Sequence, residues 1–480
     1  MTTKADFKIY GSYINGTWVD SGEYLPVLNK YSGEQIGKIA ITTKERVNEA
    51  ITSAEEAFHN NPLSPSTRFE ILNRVSQLIK ERKEALTRMI VLEAGKPYRE
   101  ASVEVERAAN TFLIAAEEGK RICGEMIPIV NKGTADARVA YTLRKPVGVV
   151  CCISPFNFPL NLVAHKVAPA LAAGNTVVLK PASTTPLTSA MLAEIFADAG
   201  LPKGHFHLVV GGGSSVGEWL LQDERIAHYT FTGSPDVGKH IRKQVGIRHV
   251  TLELGSNSAT IVHEDANLEA AAAKCAVMAF ANAGQICISV QRIYVHQNVY
   301  DAFQQVFVAE VKKLVVGDPL DPATQVGPMI SESEAKRAID WVSEAESLGA
   351  KVLTGGTRKG TLVQPTVLRE VTSDMKVVCE EIFAPVVSLV AYQDLYEAIK
   401  LVNKSKYGLQ AGIFTSSLKT AFEAADKIEV GGVMINDTSV YRADEMPYGG
   451  IKDSGVGREG PKYAIMEMTE PKVIVVNHNI

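Results

Sequence analysis

Residues 147 to 254 alternate between short β-branched runs and helical patterns, and this alternation limits the possible folds more than any other feature of the sequence. Five runs have the length and composition of buried strands: VGVVCCI, TVVLK, HFHLVV, IAHYTF and HVTLEL. Helical patterns separate them. This repeated strand-helix-strand pattern predicts an α/β fold with a parallel, doubly wound sheet and right-handed crossovers. Such sheets bind ligands at the carboxyl ends of their strands.

The chain is too long for a single core. Its 480 residues predict two or three domains. A helical region over residues 43 to 120 precedes the alternation, and the polar residues 124 to 145 predict a projecting hairpin. After residue 258 the alternation restarts with ATIVH, an alanine-rich helix, RIYVH and a helix through Val311, and VVSLVAY and AGIFTSS follow later. We expect this second α/β unit to be a separate domain.

Composition favours a protein that works on small molecules. The chain has 46% hydrophobic and 22% charged residues, a net charge of −4 and no basic block, so nothing indicates a nucleic-acid partner. The N-terminus lacks the apolar core of a secretory signal, and no apolar stretch reaches the roughly 18 residues of a membrane span. Six cysteines are scattered without CxxC or Cys/His spacing, which predicts reduced thiols, a cytoplasmic location and no metal site.

Unusual loops follow four of the five predicted strands: ISPFNFP, KPAST, GGGSSVG and FTGSPDVG. In FTGSPDVG a glycine turn opens a helix, and free N–H groups near Gly233 and Ser234 can receive a phosphate there. The alternative is a turn that only connects two elements, since the GxGxxG fingerprint is absent. Lys180 of KPAST either reaches ribose hydroxyls or a phosphate, or is a solvated lysine at a strand end.

Cys287, in FANAGQICIS after the alanine-rich helix, is a candidate nucleophile. The alternative is a buried, inert thiol, which is the commoner state of a free cysteine. A thiol of pKa about 8.5 needs a base or a positive environment to react at neutral pH. Glu253, a carboxylate inside an apolar run, can supply the base, and the Asn157 amide with the Cys287 N–H can stabilise an oxyanion. With a nicotinamide as hydride acceptor, these residues predict aldehyde oxidation.

Seven segments carry a resemblance to one enzyme family: ISPFNFPL, VLKPAS, FTGS, LELGSNS, GQIC, EEIFAPV and PYGGIKDSGVGREG. In their order and approximate spacing they resemble the aldehyde dehydrogenase superfamily over essentially the whole chain, and most of all its lactaldehyde dehydrogenase-like, non-phosphorylating glyceraldehyde-3-phosphate dehydrogenase-like and phosphonoacetaldehyde dehydrogenase-like members. The resemblance implies Cys287 as nucleophile, Glu253 as the base for the thiol or the hydrolytic water, and Asn157 as oxyanion donor. Cys275, twelve residues before the nucleophile, is then expected to be core.

The resemblance also implies a site for NADP or NAD along the strand ends. The residues that it assigns to the cofactor are Ser154, Pro155, Lys180, Ser183, Gly213, Gly217, Gly233, Ser234, Glu381 and Phe383. Lys180 would hold the adenosine ribose, with Gly213 and Gly217 bordering the adenine. The turn at Gly233 and Ser234 would hold the pyrophosphate. Glu381 and Phe383 of EEIFAPV would hold the nicotinamide ribose.

Three positions depart from the family pattern. Ser256 stands where a second glycine is often found, and Tyr448 replaces the usual phenylalanine. Ser183 stands where NAD-selective members often have glutamate. A carboxylate at that place would repel a 2′-phosphate, so its absence predicts that NADP is accepted, with NAD as a possible second cofactor.

The family fold implies an arrangement of segments as well. Residues 1–123 and 146–254 would form a Rossmann-type cofactor domain, and residues 255–445 the catalytic domain. Residues 124–145 and 468–480 would form a β-hairpin oligomerisation element. Because a long apolar edge strand such as KVIVV usually has a partner, we expect a homodimer or homotetramer.

Polar side chains near the predicted site indicate the kind of aldehyde. Arg107, His165, Arg442 and Tyr448 are the predicted substrate residues. In relatives that oxidise phosphorylated or phosphonylated aldehydes, matching positions hold the substrate anion, and forked guanidinium donors suit such oxygens. Those relatives tend to carry an arginine where this chain has Ile286. A small hydroxyaldehyde such as lactaldehyde, or a sulfo- or carboxy-aldehyde, therefore fits better than a phosphorylated one.

Several alternatives stay open from the sequence. Arg107 can instead pair with Glu104, Arg442 can pair with Asp444, and His165 can be structural. A CoA-acylating dehydrogenase is a second enzyme reading, although members of that kind often lack the glutamate that Glu253 matches. A binding or structural protein that kept the fold without the chemistry is the alternative from another class.

Overall fold

The five predicted strands lie side by side in an eight-stranded sheet of the computed structural model, which describes residues 7–130 and 137–478. In spatial order they are His249–Glu253, Ile226–Thr232, Val149–Ile153, Thr176–Lys180 and Phe206–Leu208. All neighbouring pairs among them are parallel, so the predicted doubly wound α/β sheet is confirmed. The strand order reverses between Val149–Ile153 and Ile226–Thr232, and a crevice opens at their carboxyl ends.

Helices cover both faces of this sheet. Val150 and Cys152 pack into one core and Val149 and Cys151 into the other, because successive side chains of a strand point to opposite faces. The crossover helices are Asn161–Ala173, Leu187–Asp198, Glu218–Gln222 and Pro235–Gln244. The third is shorter than SSVGEWLL suggested, since Gly213–Gly217 forms a single wide turn before it.

The predicted N-terminal helical region consists of four helices: Lys44–Asn60, Pro65–Glu81, Lys83–Ala94 and Tyr98–Gly119. Two buried carboxylates on them hold the crossover helices in place. Glu93 accepts the N–H groups of Leu187 and Thr188, and Glu104 accepts those of Leu160 and Asn161. A carboxylate at a helix N-terminus satisfies unpaired donors there. The second of these contacts fixes the start of the helix that follows ISPFNFP.

A separate seven-stranded sheet forms after residue 258. In spatial order its strands are Lys351–Thr354, Thr366–Arg369, Val386–Tyr392, Arg292–His296, Ala259–Val262, Gln410–Phe414 and Gly432–Ile435. Its longer helices are Leu268–Phe280, Tyr300–Val311, Glu332–Ser347, Leu395–Asn403 and Leu418–Lys427. The sequence predicted four of these seven strands. It missed Lys351–Thr354, Thr366–Arg369 and Gly432–Ile435. Cys275 is fully buried in the core of this unit, as predicted.

A third sheet joins two segments that are distant in sequence. Arg138–Pro146 pairs antiparallel with Thr469–Asn477 on one side and with Met126–Ile127 on the other. The strand pairing agrees with the predicted hairpin, whose residues 131–136 lie outside the described residues, as do residues 1–6 and 479–480. Several valines of the C-terminal strand are exposed.

Short elements complete the fold. The remaining strands are Lys8–Tyr10, Ser12–Ile14, Thr17–Val19, Tyr24–Leu28, Gln35–Ala40, Arg358–Lys359, Leu362–Val363, Tyr407–Gly408, Ile451–Lys452 and Gly455–Val456. The remaining α-helices are Lys376–Cys379 and Pro461–Glu467. Within the described ranges, no helix combines the length and the apolar character needed to cross a membrane.

Candidate active site

A cleft of about 830 Å³ opens where the strand order reverses. Its walls come from the strand-end loops of the first sheet and from loops of the second unit. The predicted site residues that line it are Ser154, Pro155, Asn157, Lys180, Gly213, Gly217, Gly233, Ser234, Cys287, Glu381 and Phe383. The cleft is large enough for a dinucleotide, and residues predicted from two separate halves of the chain meet in it.

Lys180 lies on the side of the cleft formed by the glycine-rich loop. Its Nζ makes a long contact of 3.5 Å with the Pro181 carbonyl, and its Cε lies 4.0 Å from where a Cβ on Gly217 would stand. Burial lowers the pKa of Lys180. Ser183 is close to Lys180 in sequence but is not among the described residues that line the cleft. Its Oγ donates to the Gly211 carbonyl at 2.9 Å.

The turn of FTGSPDVG differs in one respect from the expectation. The Gly233 N–H is not free for a phosphate, since it donates to the Glu253 carbonyl at 3.0 Å. Ser234 precedes the helix Pro235–Gln244 and makes no side-chain cap hydrogen bond, so the helix N-terminus still faces the cleft. A side chain on Gly233 would meet the Phe231 ring at 2.4 Å. Glycine is therefore required here by close packing.

Residues that the sequence reasoning missed also line the cleft. Asp236, Val237, His240 and Ile241 form one face of the helix Pro235–Gln244, and their helical spacing was the available signal. His240 Nε2 lies 2.7 Å from Glu218 Oε1, and Glu218 also lines the cleft. Further wall residues that were not predicted are Phe156, Thr232, Leu254 and Arg337.

Glu381 and Phe383 form the wall that belongs to the second unit. Glu381 accepts the Ser256 N–H at 2.9 Å, and burial raises its pKa to about 7. A Cβ on Gly255 would lie 2.4 Å from the Glu381 carboxylate. Phe383 has a positive φ of 49°, and its ring meets that of Phe156 edge-on at 5.9 Å. These contacts support the placement of both side chains at the cleft.

An unusual backbone leads to the candidate nucleophile. Asn282, Ala283 and Gly284 have φ values of 47°, 54° and 70°, and a run of positive φ is costly for residues other than glycine. A Cβ on Gly284 would lie 2.1 Å from the Ala384 carbonyl oxygen. Glu100 accepts the Asn282 N–H at 2.9 Å. This turn ends the alanine-rich helix and brings the following residues to the cleft.

Cys287 lies partly exposed in the cleft, in mostly apolar surroundings. Its Sγ is 2.9 Å from the Tyr448 hydroxyl. Burial raises the pKa of the thiol to about 12, and the Tyr448 hydrogen bond acts in the opposite direction. In this state the sulfur is a neutral thiol at neutral pH, so its reaction requires a change in its surroundings or a base.

The Asn157 side chain lies beside the same loop. Its Nδ2 donates to the Gln285 carbonyl at 2.8 Å, and its Oδ1 has no partner among the described residues. Gln285 is itself held by Asn282 and Ile330. The second Nδ2 hydrogen of Asn157 is available for an oxygen of a bound molecule, because an amide carries two donors.

Glu253 is buried behind the cleft instead of lining it. Neither carboxyl oxygen has a hydrogen-bond partner within the described part of the chain. A Cβ on Gly449 would lie 2.8 Å from Oε1, so the carboxyl rests against the backbone of PYGG. Burial, followed by the neighbouring Glu459 carboxylate, raises its pKa well above the usual range. This position favours the protonated form of Glu253.

Arg107 and His165 converge on one carboxylate. Arg107 donates to Asp444 through Nη2 at 2.7 Å and Nε at 3.3 Å, and His165 Nε2 lies 3.1 Å from the same side chain. The alternative pairing of Arg107 with Glu104 is therefore wrong, since Glu104 pairs with Lys96. Burial lowers the pKa of His165 to about 4, which makes it neutral at pH 7.

The Arg442 side chain is largely buried and is not among the described residues that line the cleft. Its predicted alternative partner Asp444 is also wrong, because Arg442 donates to Glu459 at 3.0 Å. Lys166 donates to the other oxygen of Glu459 at 2.7 Å. Burial opposes ionisation of Glu459, yet these two cations lower its pKa to about 2. The Arg442 guanidinium lies 3.7 Å from the centre of the Tyr448 ring.

Comparisons with known proteins identify the family of the chain. The sequence model of the aldehyde dehydrogenase family matches residues 18–474. A 3-sulfolactaldehyde dehydrogenase from Priestia megaterium is 51% identical over 477 residues, which are 99% of this chain and 100% of that protein. A lactaldehyde dehydrogenase from Methanocaldococcus jannaschii is 42% identical over 97% of this chain and 100% of that protein. Among solved structures, one similar chain is the glyceraldehyde-3-phosphate dehydrogenase GapN from M. jannaschii, complexed with NADP. It is 41% identical to this chain with a TM-score of 0.91, and the match covers 94% of this chain and 99% of that one. The chain belongs to the aldehyde dehydrogenase family.

Proposed function

We propose that this aldehyde dehydrogenase oxidises a short polar or anionic aldehyde to the carboxylic acid, through a thiohemiacetal and a thioester on Cys287. The observation that carries the proposal is the position of Cys287 in a dinucleotide-sized cleft, beside Asn157 and in front of Glu253. Bound in the cleft, a nicotinamide supplies the hydride acceptor. A spectrophotometric assay of nicotinamide reduction with a panel of aldehydes tests it, and no turnover with any aldehyde would refute it.

The chemistry on this chain begins at the sulfur. The Cys287 thiolate attacks the aldehyde carbon, and the carbonyl oxygen becomes an oxyanion. The free Nδ2 hydrogen of Asn157 and the Cys287 N–H are its donors, and one such donor typically contributes about 100 to 1000-fold in rate. Loss of hydride leaves a thioester, which water must cleave.

Glu253 is the proposed base for that water. Burial raises the pKa of a carboxyl, and contact with water lowers it again. A buried carboxyl therefore releases its proton once it moves toward water, and it can then act as a base. The nearby Arg442 and Lys166 favour its ionised form. We therefore place deprotonation of the water on Glu253 after the thioester has formed.

The cofactor preference is proposed to favour NADP. Lys180 supplies a positive charge beside Gly217, and Ser183 carries no charge that would repel a 2′-phosphate. Ser154 Oγ, a buried hydroxyl without a described partner, offers a further polar contact at the cleft wall. The similar GapN structure is complexed with NADP.

Ser183→Glu is expected to shift the ratio of kcat/KM values for NADP and NAD toward NAD by about 10 to 100-fold, because like charges at a binding site cost several kcal/mol. Steady-state kinetics with both cofactors measures the ratio. Ser183→Gln is the matched control, since it has the same length without the charge. A ratio that is equal in the two variants would locate the selectivity at other residues.

The substrate class is proposed from the charges around the site. Arg107 is partly exposed and uses only Nε and Nη2 on Asp444, so the rest of its fork can meet a substrate anion. Each of the cations Arg107, Lys166 and Arg442 pairs with Asp444 or Glu459, and the partly exposed Arg107 is the one proposed to meet the substrate anion. The similar proteins named for 3-sulfolactaldehyde and lactaldehyde support a short hydroxylated aldehyde, and we name sulfolactaldehyde as the first candidate.

Arg107→Leu is expected to lower kcat/KM for sulfolactaldehyde by about 10 to 100-fold, the usual effect of losing a hydrogen bond to a charged group. Its value for an uncharged aldehyde such as propanal should change much less. Competing steady-state assays with the two aldehydes measure the preference. Arg99→Leu, on an exposed position of the same helix, is the matched control. An unchanged substrate ranking in Arg107→Leu would refute the anionic-pocket proposal.

The runner-up activity is a CoA-acylating reaction in which a thiol resolves the thioester. Product analysis with and without CoA separates it from hydrolysis, since only the acylating enzyme would require CoA.

The proposed assembly is a cytoplasmic homodimer or homotetramer built through the sheet of Arg138–Pro146 and Thr469–Asn477. Within each subunit, the proposed cofactor domain consists of residues 1–123 and 146–254, and the proposed catalytic domain consists of residues 255–445. A monomer in sedimentation equilibrium would refute the assembly.

A further inference from the structure

The Cys287 sulfur has an unfavourable environment for a negative charge. Ile286, Ile288 and Leu409 pack around it, with Phe158 and Ala281 at the edge of the same cluster. Apolar side chains do not solvate a thiolate, and burial therefore favours the neutral form. A nucleophile in this cluster needs a hydrogen-bond donor at the sulfur.

Tyr448 is placed to be that donor. Its hydroxyl lies 2.9 Å from Cys287 Sγ, within hydrogen-bond distance for a sulfur acceptor. The ring is almost fully buried, so its hydroxyl faces the sulfur without competition from bulk water. Tyrosine is also the residue by which this chain departs from the usual phenylalanine of its family. It was predicted as a substrate residue, and its hydroxyl contacts the sulfur.

Arg442 strengthens the tyrosine as a donor. Its guanidinium lies 3.7 Å from the ring centre, and a cation over the face of an aromatic ring withdraws electron density from it. The Arg442 side chain is itself held by Glu459. Successive contacts therefore connect Glu459 to Arg442, Arg442 to the Tyr448 ring, and the Tyr448 hydroxyl to the sulfur.

Other charged groups face the sulfur as well. Glu381 and Glu253 oppose a negative charge on Cys287, whereas Arg442 favours it. Both carboxyl groups destabilise the thiolate when they are ionised. The hydrogen bond from Tyr448 stabilises the thiolate at short range, and Tyr448 is a neutral group. This hydrogen bond does not depend on the protonation of Glu381 or Glu253.

We propose that Tyr448 is a catalytic residue, whose O–H donates a hydrogen bond to the Cys287 thiolate both when the sulfur attacks and when it leaves. This role deepens the proposed function and rests on it. In the thiol state either group can donate. When the sulfur loses its proton to solvent through the cleft, sulfur is an acceptor only and the phenol O–H must be the donor.

The same hydrogen bond acts at both ends of the reaction. During attack the sulfur lone pair forms the C–S bond, and the charge passes to the aldehyde oxygen. During hydrolysis the C–S bond breaks and its electron pair returns to sulfur, while the acyl carbon keeps the oxygen of water. Tyr448 stabilises the leaving thiolate at that step, and its own proton stays on the phenol throughout.

Tyr448→Phe tests the proposal by removing one oxygen and keeping the ring beside Arg442. We expect the rate of Cys287 alkylation by iodoacetamide to fall about 10 to 100-fold at each pH from neutral to mildly alkaline, in enzyme free of substrate and cofactor. That fall corresponds to a shift of about one to two pH units in the thiolate population. Mass spectrometry of the Cys287 peptide reports the rate without interference from the exposed Cys123 and the partly exposed Cys379.

Tyr441→Phe, on the exposed tyrosine of the same loop, is the matched control and should alkylate like the wild type. An unchanged or faster rate in Tyr448→Phe would overturn the proposal, and so would an equal fall in both variants. The alkylation readout needs no aldehyde. A wild type that oxidises no aldehyde, yet shows the Tyr448 effect, would refute the proposed function and leave the thiolate hydrogen bond standing.

Discussion

Cys287→Ala is expected to lower kcat for aldehyde oxidation by at least about 10⁴-fold, because a methyl group cannot form the C–S bond on which both steps depend. No other cysteine is among the residues that line the cleft. The variant should still bind NADP with nearly wild-type affinity, since the residues proposed to bind the dinucleotide lie mainly on the strand-end loops. Nicotinamide reduction and a fluorescence titration with NADP measure the two quantities.

Cys123→Ala is the control for this variant, because Cys123 is exposed and does not line the cleft. It should keep wild-type turnover. Substantial aldehyde oxidation by Cys287→Ala would exclude the covalent mechanism. A combined loss of turnover and NADP binding would mean that the loop at Gly284 had rearranged, and circular dichroism together with the NADP titration would reveal that.

Glu253→Gln is expected to lower steady-state turnover by about 100 to 10,000-fold, the usual contribution of a general base. Hydrolysis of the thioester should slow more than substrate binding weakens, so an acyl-enzyme should accumulate after mixing with aldehyde and cofactor. Intact-protein mass spectrometry detects the added acyl mass. Wild-type turnover in this variant would remove Glu253 from the mechanism.

The stability of Glu253→Gln provides an independent check on the buried carboxyl. Its folded-state pKa is raised, so the folded state holds a proton that the unfolded chain releases above a pH of about 4.3. The unfolded state then binds fewer protons, and the stability contribution of Glu253 falls as pH rises from that value toward the folded-state pKa. Glutamine removes this dependence. Urea unfolding of both proteins at mildly acidic and alkaline pH should show the smaller pH slope in Glu253→Gln.

Local sequence patterns determined the sheet and its ligand-binding edge. Strands such as Val149–Ile153 and Thr176–Lys180 were predictable because their β-branched runs are short, apolar and separated by helical spacing. The parallel order follows from the alternation, and the carboxyl ends follow from the parallel order. Lys180 and Gly233 were therefore placed at one edge of the sheet by the local pattern, whereas Cys287 was assigned to the same site by the family resemblance, and all three line one cleft.

The ion-pair partners could be decided only by the tertiary structure. Asp444 lies 337 residues after Arg107, and Glu459 lies 293 residues after Lys166. Helical spacing favoured Glu104 for Arg107, but Glu104 is occupied by Lys96 and by the helix that follows ISPFNFP. A local pattern cannot show which of several nearby carboxylates is already used, because burial requires every charge to be paired at the same time.

The sequence by itself determined which residues can do the chemistry: a thiol, a carboxyl and an amide at the ends of predictable elements. Their protonation states were decided by packing. Packing favours the neutral forms of Cys287 and Glu253, because apolar neighbours and a nearby carboxylate disfavour their charges. Tyr448 reaches the sulfur because a loop 161 residues away in sequence folds over it. Desolvation and hydrogen bonding depend on distances between segments that are remote in sequence, so only the folded chain defines them.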